Sequence, residues 1–233
     1  MIQGLLAVRA TGIGNSIPRA LHLPTMLLGL SEALPSLVET SFDTAKATSS
    51  LLFSPTEVAI IPTGPETPSC LDFQVRFCPS LAKKPTPKND ATPKEKIDPF
   101  EDPPAALRIA EIPVTDPSHL LVLNKFPIIA GHFILATRLN KKQTHALERD
   151  DLEATYACLK AWQDGSDSKQ KRLFAFFNSG EHSGASQPHR HLQFLPLENM
   201  REGEKTSSWE LSIDVILARS PGKSRRRPTS NCC

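Results

Sequence analysis

Residues 176–193, FFNSGEHSGASQPHRHLQ, combine three patterns in one short stretch. An apolar run is followed by small polar residues and then by alternating polar and apolar side chains. Side chains two positions apart share a face of a strand, so the sequence predicts that His189, His191 and Gln193 project together. Leu192 then points to the opposite face, toward a core. The pattern therefore predicts a strand that carries polar side chains above an apolar support.

The elements around this stretch predict an α+β fold. Helical spacing of apolar residues predicts a helix at 34–48. A capping box of Asp150 and Glu153 predicts a second helix to about 165, whose apolar positions are Leu152, Tyr156, Leu159 and Trp162. Alternation and residue type predict strands at 57–61, 71–77, 119–124, 132–137, 173–177 and 189–195. This order favours an antiparallel sheet with helices packed on one face.

Three segments differ in composition from the rest of the chain. Residues 1–33 are predicted to be a disordered extension, and their first thirty residues contain no Asp or Glu, a bias shared with transit peptides. Residues 79–104 are rich in Pro and Lys and predict a linker or a mobile loop on the substrate side. Residues 218–233 form a basic tail without periodicity. Residues 34–217 are left as the folded domain.

The overall composition excludes several classes of protein. The chain has 233 residues and a net charge of +2, too balanced for nucleic-acid binding by bulk electrostatics. No run of about 18 apolar residues predicts a membrane span. The five cysteines are odd in number and form no zinc or CxxC spacing. We therefore expect a reduced compartment, the cytoplasm with or without the nucleus, or the mitochondrion if the extension is a transit peptide.

The small residues of the stretch suit an anion. Gly180, Ser183 and Gly184 let backbone N–H groups approach a phosphate closely, as do the neighbouring Ala185 and Ser186. Ser186 and Gln187 add side-chain donors. Asn178 can both donate and accept, which suits a ribose or a phosphate oxygen.

The two histidines suggest nucleophilic chemistry. The imidazole of His191 attacks phosphorus through one nitrogen, while an acceptor must hold the other, and we expect a backbone carbonyl of the small-residue loop in that role. His189 is predicted to stabilise charge on the phosphate oxygens or to assist the leaving group. Gln193 is predicted to bind a non-bridging oxygen.

The histidines also have interpretations other than nucleophilic chemistry. A pair at i and i+2 can be half of a metal site, but no Cys lies nearby and Gln193 is a poor third ligand, so no metal site is predicted. His189 and His191 could also be ordinary surface residues. The other histidines, His119, His132, His145 and His182, are predicted to be structural or incidental.

The ordered set of motifs resembles the histidine-triad superfamily, in its branch with a His-x-His-x-Gln motif. More closely, it resembles the fungal type of diadenosine tetraphosphate phosphorylase, also called ATP adenylyltransferase. The resemblance covers about residues 34–211. Besides the long stretch, it is carried by LLFSPTE at 51–57, PSLAKKP at 79–85, DPFEDPP at 98–104, LVLNKFP at 121–127 and GHFILAT at 131–137.

The resemblance implies a histidine-triad-like fold and a two-step transfer by the domain at 34–217. His191 attacks the α-phosphate, ATP leaves, and an adenylyl-histidine remains until inorganic phosphate attacks it and forms ADP. The implied partners are diadenosine tetraphosphate, ATP, ADP and phosphate, with no nucleic acid and no membrane. A divalent cation such as Mg²⁺ is implied to accompany the polyphosphate, without a tightly bound cofactor.

The resemblance also assigns the binding residues. Gln193 contacts the α-phosphate, and Lys84, or Lys83 beside it, binds phosphate. The remaining nucleotide contacts are Asn124, Lys125, Asn178, Gly184, Ala185, Ser186 and Gln187. On composition alone Lys84 and Lys125 would be solvated surface residues, although fixed ammonium groups offset a polyphosphate's charge.

Two departures keep alternatives open. The segment 62–71 looks longer than the family's usual connection. The family also continues for roughly another hundred residues, a domain-sized piece, so the sheet is expected to be incomplete at the C-terminus. The alternatives are an impaired nucleotide-binding fragment, a dinucleoside polyphosphate hydrolase, and a uridylyltransferase, whose metal-binding cysteines have no counterpart here.

Overall fold

The computed structural model describes residues 28–62, 72–79, 98–165, 171–201 and 208–219, with residues 203 and 206. They belong to two compact units. The first consists of the described residues up to Pro55 and from Cys78 to Met200, and the second of Thr56–Phe77 and those from Arg201 onward.

The helices in chain order are α1 Leu34–Ala47, α2 Arg149–Asp164, α3 Leu197–Met200 and α4 Ser212–Arg219. The strands are β1 Glu57–Pro62, β2 Asp72–Phe77, β3 Arg108–Ile112, β4 His119–Leu123, β5 Phe133–Thr137, β6 Leu173–Phe176 and β7 His191–Pro196. No helix of the described chain is long and apolar enough to span a bilayer.

The first unit contains a five-stranded sheet in the order β3-β4-β5-β7-β6. Every neighbouring pair is antiparallel. The predicted α+β class, an antiparallel sheet with helices packed on it, is therefore confirmed. Strands β4 and β5 are buried along their whole length because both faces of the central sheet are covered.

The main core lies between the sheet and helices α1 and α2. Phe133 and Phe194 from neighbouring strands stack with their ring centroids 4.9 Å apart, and Trp162 of α2 stacks on Phe133 at 6.0 Å. Helix α1 contributes Val38 and Phe42. A smaller second cluster covers part of the other face and consists of Phe100, Leu120, Val122, Ile134 and Ala136.

Helix α2 begins earlier than the sequence predicts. Its capping box joins Glu148, the N-cap, to Asp151, so the predicted box of Asp150 and Glu153 is wrong. The buried face also differs. Leu159 and Trp162 are buried as predicted, but Leu152 is 50% exposed and Tyr156 is 44% exposed. The rest of the buried face consists of small or polar residues, namely Asp151, Ala154, Thr155, Ala157 and Cys158. Small side chains allow the helix to lie close to the sheet, and Asp151 is buried because it has ionic partners there.

Three further features of the fold differ from the prediction. Residues 28–33, assigned to the extension, include Leu28, which is 7% exposed and belongs to the core. Strand β3 is absent from the predicted elements, since its five residues at the edge of the sheet give too short a pattern. The motif strand β7 begins at His191 rather than at 189, and His189 forms only an isolated bridge with Lys142.

The second unit is built on a hairpin. Strands β1 and β2 pair antiparallel, with Glu57 opposite Phe77 and Pro62 opposite Asp72. The indole N–H of Trp209 donates to the carbonyl of Asp72 at 2.9 Å, which ties the segment before α4 to this hairpin. Of the segment 62–71, residues 63–71 lie outside the described residues.

Candidate active site

The motif strand β7 lies inside the sheet, between β5 and β6. His191 is opposite Ala136 and Gln193 is opposite Ile134. Ala136 and Ile134 belong to the second cluster, so both polar side chains share its face, away from the helices. Leu192 packs into the main core as predicted. The expected separation of polar and apolar rows is therefore present in the strand.

One ring nitrogen of His191 is hydrogen-bonded to the protein main chain. Its Nδ1–H donates to the carbonyl oxygen of His189 at 2.7 Å. Within the described chain no group hydrogen-bonds to Nε2, which carries the lone pair in this tautomer. The holding acceptor is a carbonyl, as expected, but it belongs to His189 in the motif and not to the small-residue loop. That contact spans two residues, so the motif orients its own nucleophile.

The environment of His191 favours the neutral imidazole. Burial lowers its pKa, and so does the nearby ring of His189. The hydrogen bond to the carbonyl of His189 and the carboxylate of Asp98 act in the opposite direction, but the pKa remains below its ordinary value. A neutral imidazole with an unprotonated Nε2 is the reactive form toward phosphorus.

The ring of His189 is fully engaged by the protein. Its Nδ1 lies 2.6 Å from Oδ2 of Asp98, and its Nε2 lies 2.7 Å from the carbonyl oxygen of Thr137. The Thr137 hydroxyl is 3.0 Å from the same Nε2 and donates to the carbonyl of Leu139, so it can only accept from the ring. Both nitrogens are therefore engaged by protein atoms. Neither is left for phosphate oxygens or a leaving group, which corrects the role predicted for His189.

Residues 98–100 form a clasp over the two motif histidines. Asp98 accepts from the N–H of Phe100 through Oδ1 at 2.9 Å and from Asn140 through Oδ2 at 2.9 Å. The ring of Phe100 lies 5.5 Å from that of His189 and 5.1 Å from that of His191. This end of the predicted loop at 79–104 is thus packed against the site, while 80–97 lie outside the described residues.

Gln193 is part of a row of polar side chains. Nε2–H of His132 donates to Oε1 of Gln193 at 3.1 Å, and Nδ1 of His132 accepts from the amide of Asn124 at 3.1 Å. Asn124 in turn accepts from the N–H of Phe126. Because its oxygen is taken, the amide of Gln193 is turned so that its NH₂ group is the part available to a phosphate oxygen.

His132 is neutral in this row. Its pKa is lowered to about 4, chiefly by burial and also by the proximity of His191, while the hydrogen bond to Gln193 acts in the opposite direction. A structural role is predicted for His132 from the sequence, whereas the structure joins it to Asn124 and Gln193, two of the predicted site residues. The sequence feature that could have identified His132 is its position in the GHFILAT motif. In the same way, the DPFEDPP motif contains Asp98 and Phe100.

The other face of the motif strand is held by a buried ionic cluster. Arg190 NH1 lies 2.9 Å from Asp151 and 2.8 Å from Glu148, and Asp151 also accepts from His119 at 3.0 Å. Burial raises the pKa of Asp151. The hydrogen bonds from His119, the N–H of Glu148 and Arg190 outweigh that effect and keep this pKa below its usual range. The start of α2 is thereby fastened to the residue between the two motif histidines.

The predicted phosphate loop follows β6. Gly180 and Gly184 have φ angles of +87° and +85°, which only glycine adopts without strain. The N–H of Ala185 turns inward to the carbonyl of Gly180 at 3.1 Å, so it is not free for a phosphate as predicted. Ser186 is exposed and Gln187 is half-buried. Asn178, at the start of the loop, is buried.

Of the predicted lysines, Lys125 lies within the described residues. Lys125 is exposed, and its Nζ lies 5.7 Å from the centre of the Phe126 ring. Its backbone carbonyl accepts from the N–H of Leu52 at 2.8 Å, which fixes the turn after β4. Lys84 and the alternative Lys83 lie outside the described residues.

A metal site is not evident in the described part of the chain, which has no group of three His, Cys, Asp or Glu residues able to hold an ion. The arrangement instead offers a neutral imidazole with one free nitrogen, a nearby amide donor and a loop of small residues. These are the elements of a site for transfer of a phosphorus-containing group.

Comparison with protein families identifies the class. Residues 26–215 match the Ap4A phosphorylase N-terminal domain family. This match extends over most of the chain, so the chain belongs to the Ap4A phosphorylase N-terminal domain family.

Particular relatives agree with this assignment. Diadenosine 5',5'''-P1,P4-tetraphosphate phosphorylase 2 of Saccharomyces cerevisiae is 38% identical over 127 residues, 54% of this chain and 39% of the relative. Protein APA1 of the same yeast is 33% identical over 168 residues, 70% of this chain and 49% of the relative. The chain therefore spans about half or less of the length of these relatives.

A solved structure shows the same fold. The crystal structure of yeast Ap4A phosphorylase Apa2 in complex with Ap4A superposes with a TM-score of 0.65 at 30% identity, covering 87% of this chain and 60% of that one. The antiparallel α+β architecture is therefore that of a known nucleotide-binding relative.

Proposed function

We propose that this chain is a nucleotidyltransferase that phosphorolyses diadenosine tetraphosphate through a covalent adenylyl-histidine on His191. The observation that carries the proposal is the hydrogen bond from Nδ1 of His191 to the carbonyl of His189. It presents an unprotonated Nε2 on the same strand face as Gln193. The names of the relatives supply the substrate class.

The reaction has two displacements at the same phosphorus. In the first, Nε2 of His191 forms a P–N bond to an α-phosphorus, and the P–O bond to the departing ATP breaks. In the second, an oxygen of inorganic phosphate forms a new P–O bond, the P–N bond breaks, and ADP leaves. The imidazole returns to its starting state, so the balance is one diadenosine tetraphosphate and one phosphate for one ATP and one ADP.

The neighbouring residues support both displacements. The NH₂ group of Gln193 can bind a non-bridging oxygen while charge moves onto it, and His132 keeps this group turned outward. Asp98 lies 2.6 Å from Nδ1 of His189 and so holds the ring beside the nucleophile in place. Asn178, Ser186 and Gln187 are placed at the loop that follows β6, where the nucleotide is proposed to bind.

The divalent cation is proposed to arrive with the polyphosphate. The carboxylate of Asp98 is already paired with His189, and that of Asp151 with Arg190, so neither is offered to an ion. Phosphate oxygens are good ligands for Mg²⁺, which keeps several of its waters. Titration of activity with Mg²⁺ at fixed substrate would test this part.

Incubation with diadenosine tetraphosphate and phosphate tests the whole proposal. We expect ATP and ADP in equal amounts, an acid-labile AMP adduct on His191 when phosphate is omitted, and loss of both in His191→Ala. His145→Ala, which alters an exposed histidine, is the matched control and should behave as the wild type. AMP in place of ADP would indicate a hydrolase. Nucleotide binding without an adduct would indicate a binding fragment, and full turnover by His191→Ala would reject the nucleophile.

A further inference from the structure

Gln143 is a buried side chain that none of the predicted functions uses. It is 2% exposed and lies in the segment between β5 and α2. Its backbone N–H donates to the carbonyl of Pro188 at 2.7 Å, so the residue is anchored beside the start of the motif strand.

The amide of Gln143 binds the main chain of His191 on both sides. Oε1 accepts from the N–H of His191 at 2.7 Å, and Nε2 donates to the carbonyl of His191 at 3.1 Å. The same Nε2 donates to the carbonyl of Asn178 at 2.8 Å. All three groups are buried, so each would lose a hydrogen bond without replacement by water if the amide were removed.

The amide stands where a strand pair would otherwise continue. The last paired residues of β6 and β7 are Phe176 and Gln193. Two residues further along an antiparallel ladder, Asn178 would face His191. Instead the chain leaves the sheet at this point to form the small-residue loop. Gln143 fills the gap and supplies the hydrogen bonds that the departing strand no longer provides.

We propose that Gln143 is a positioning residue for adenylyl transfer, which fixes the main chain of His191 relative to Asn178. The inference rests on the proposed function and deepens it. Because the His191 ring is held by a carbonyl only two residues away, its direction depends on the main chain that Gln143 clamps. Asn178 starts the loop proposed to bind the nucleotide. One amide therefore sets the distance between the nucleophile and the nucleotide site.

The proposal can be tested by the pH dependence of a Gln143→Glu variant, because the two ends of the amide have different partners. In Gln143→Glu, one oxygen can still accept from His191, but the other faces two carbonyl oxygens. An ionised carboxylate is repelled there, whereas a protonated one can donate and mimic the amide. We expect the variant to regain activity relative to wild type as pH falls from about 8 to about 6, since burial and two acceptors favour the protonated acid.

The expected kinetic effect lies in the chemical step. Misplacement of a reacting atom by about 1 Å costs on the order of 100-fold, so we expect the rate of adduct formation in Gln143→Glu to fall ~10- to 100-fold at about pH 8. KM should change much less. Gln143→Met, which keeps the size but not the hydrogen bonds, should be impaired equally at every pH. Asn199→Ala, which removes another amide-to-carbonyl bond remote from His191, is the matched control and should keep wild-type kcat.

The outcomes separate this proposal from the one it rests on. Failure of the proposed function appears in the wild type, as absence of an adduct on His191. Failure of the Gln143 proposal appears only in the variants, as wild-type adduct formation, as a pH-independent deficit in Gln143→Glu, or as losses that follow the unfolded fraction seen by circular dichroism. If no variant folds, NMR of the wild type decides: slow hydrogen exchange of the Gln143 NH₂ supports the clamp, and fast exchange overturns it.

Discussion

His132 has no reactive role itself, but its hydrogen bond decides how the amide of Gln193 is oriented. It accepts from Asn124 and donates to Gln193, and so connects two predicted substrate contacts that are distant in sequence. An amide can be turned either way with little change in shape, and only its partners decide which end faces the substrate. His132 therefore sets the chemical character that Gln193 presents to the phosphate.

A double-mutant cycle tests this dependence. We expect His132→Ala and Gln193→Ala each to slow adduct formation by ~10-fold or more, because each removes the same oriented donor. Combined, they should cost little more than either alone, since interacting residues are not additive. The measurement is single-turnover adenylylation of His191. Strictly additive losses would show that the two side chains act independently.

The lowered pKa of His132 predicts a loss of stability in mild acid. The unfolded chain takes up a proton on this residue near its ordinary pKa of 6.5, and the folded chain only at about 4. The unfolded state binds more protons in this window, so the free energy of unfolding falls as pH drops through it. The shift corresponds to roughly 3 kcal/mol. The lowered pKa of His191 acts in the same direction.

Urea unfolding at about pH 7.5 and about pH 5 measures this effect. His132→Gln, which cannot take up the proton, should lose less stability between the two conditions than the wild type. His145→Gln changes an exposed histidine and serves as the control. Equal losses in all three proteins would contradict the assignment to His132.

At the scale of elements, the site depends on how α2 is joined to β7. Asp151 in the first turn of the helix binds Arg190, which lies between the two motif histidines. Arg190 and Asp151 are fully buried, so their cost of desolvation is offset only while each keeps its partners. The helix thus fixes the motif strand from behind while the clasp at 98–100 covers it in front.

Neighbouring aspartates offer a matched test of this connection. Asp151→Asn removes the buried partner of Arg190 and leaves only the half-exposed carboxylate of Glu148, and we expect the free energy of unfolding to fall by about 3 kcal/mol. Asp150→Asn changes an exposed residue next to it and should stay within about 0.5 kcal/mol of the wild type. Chemical denaturation of both variants gives the comparison. Similar stabilities would mean that the buried cluster contributes little.

At the scale of the whole molecule, the second unit presents apolar side chains to solvent. Phe73 and Ile61 are paired across the hairpin and are 54% and 51% exposed, and Phe77 is 61% exposed. Exposed apolar residues that lie next to one another on strands favour association of chains. The solubility of the chain is therefore expected to depend on this hairpin.

Two substitutions on the hairpin test the expectation. Phe73→Thr combined with Phe77→Thr keeps residues that suit a strand but removes the apolar surface. We expect less aggregation by light scattering at equal concentration, with adduct formation unchanged. Leu139→Thr, which alters a residue that is 75% exposed outside the hairpin, should leave aggregation as it was. The same reduction with Leu139→Thr would mean that the hairpin has no special part.

Local pattern was sufficient for much of the fold. Strands β4, β5 and β7 and helix α1 carry periodicities that match their observed positions within one or two residues. Prediction failed where position in the whole fold outweighed local pattern. Leu152 and Tyr156 have helical apolar spacing yet are exposed, because the buried side of α2 consists of Leu159, Trp162 and the small or polar residues on the same side of the helix.

The amino-acid sequence by itself was enough to identify the family motif, the α+β class and His191 as the candidate nucleophile. These follow from short-range order, since alternation along a strand and small residues in a loop act over a few positions. Only the tertiary structure showed what holds that imidazole in place: Gln143 lies 48 residues from His191 and Asp98 lies 91 residues from His189. Hydrogen bonds across such separations depend on how strands pair and helices dock, and no local pattern specifies them.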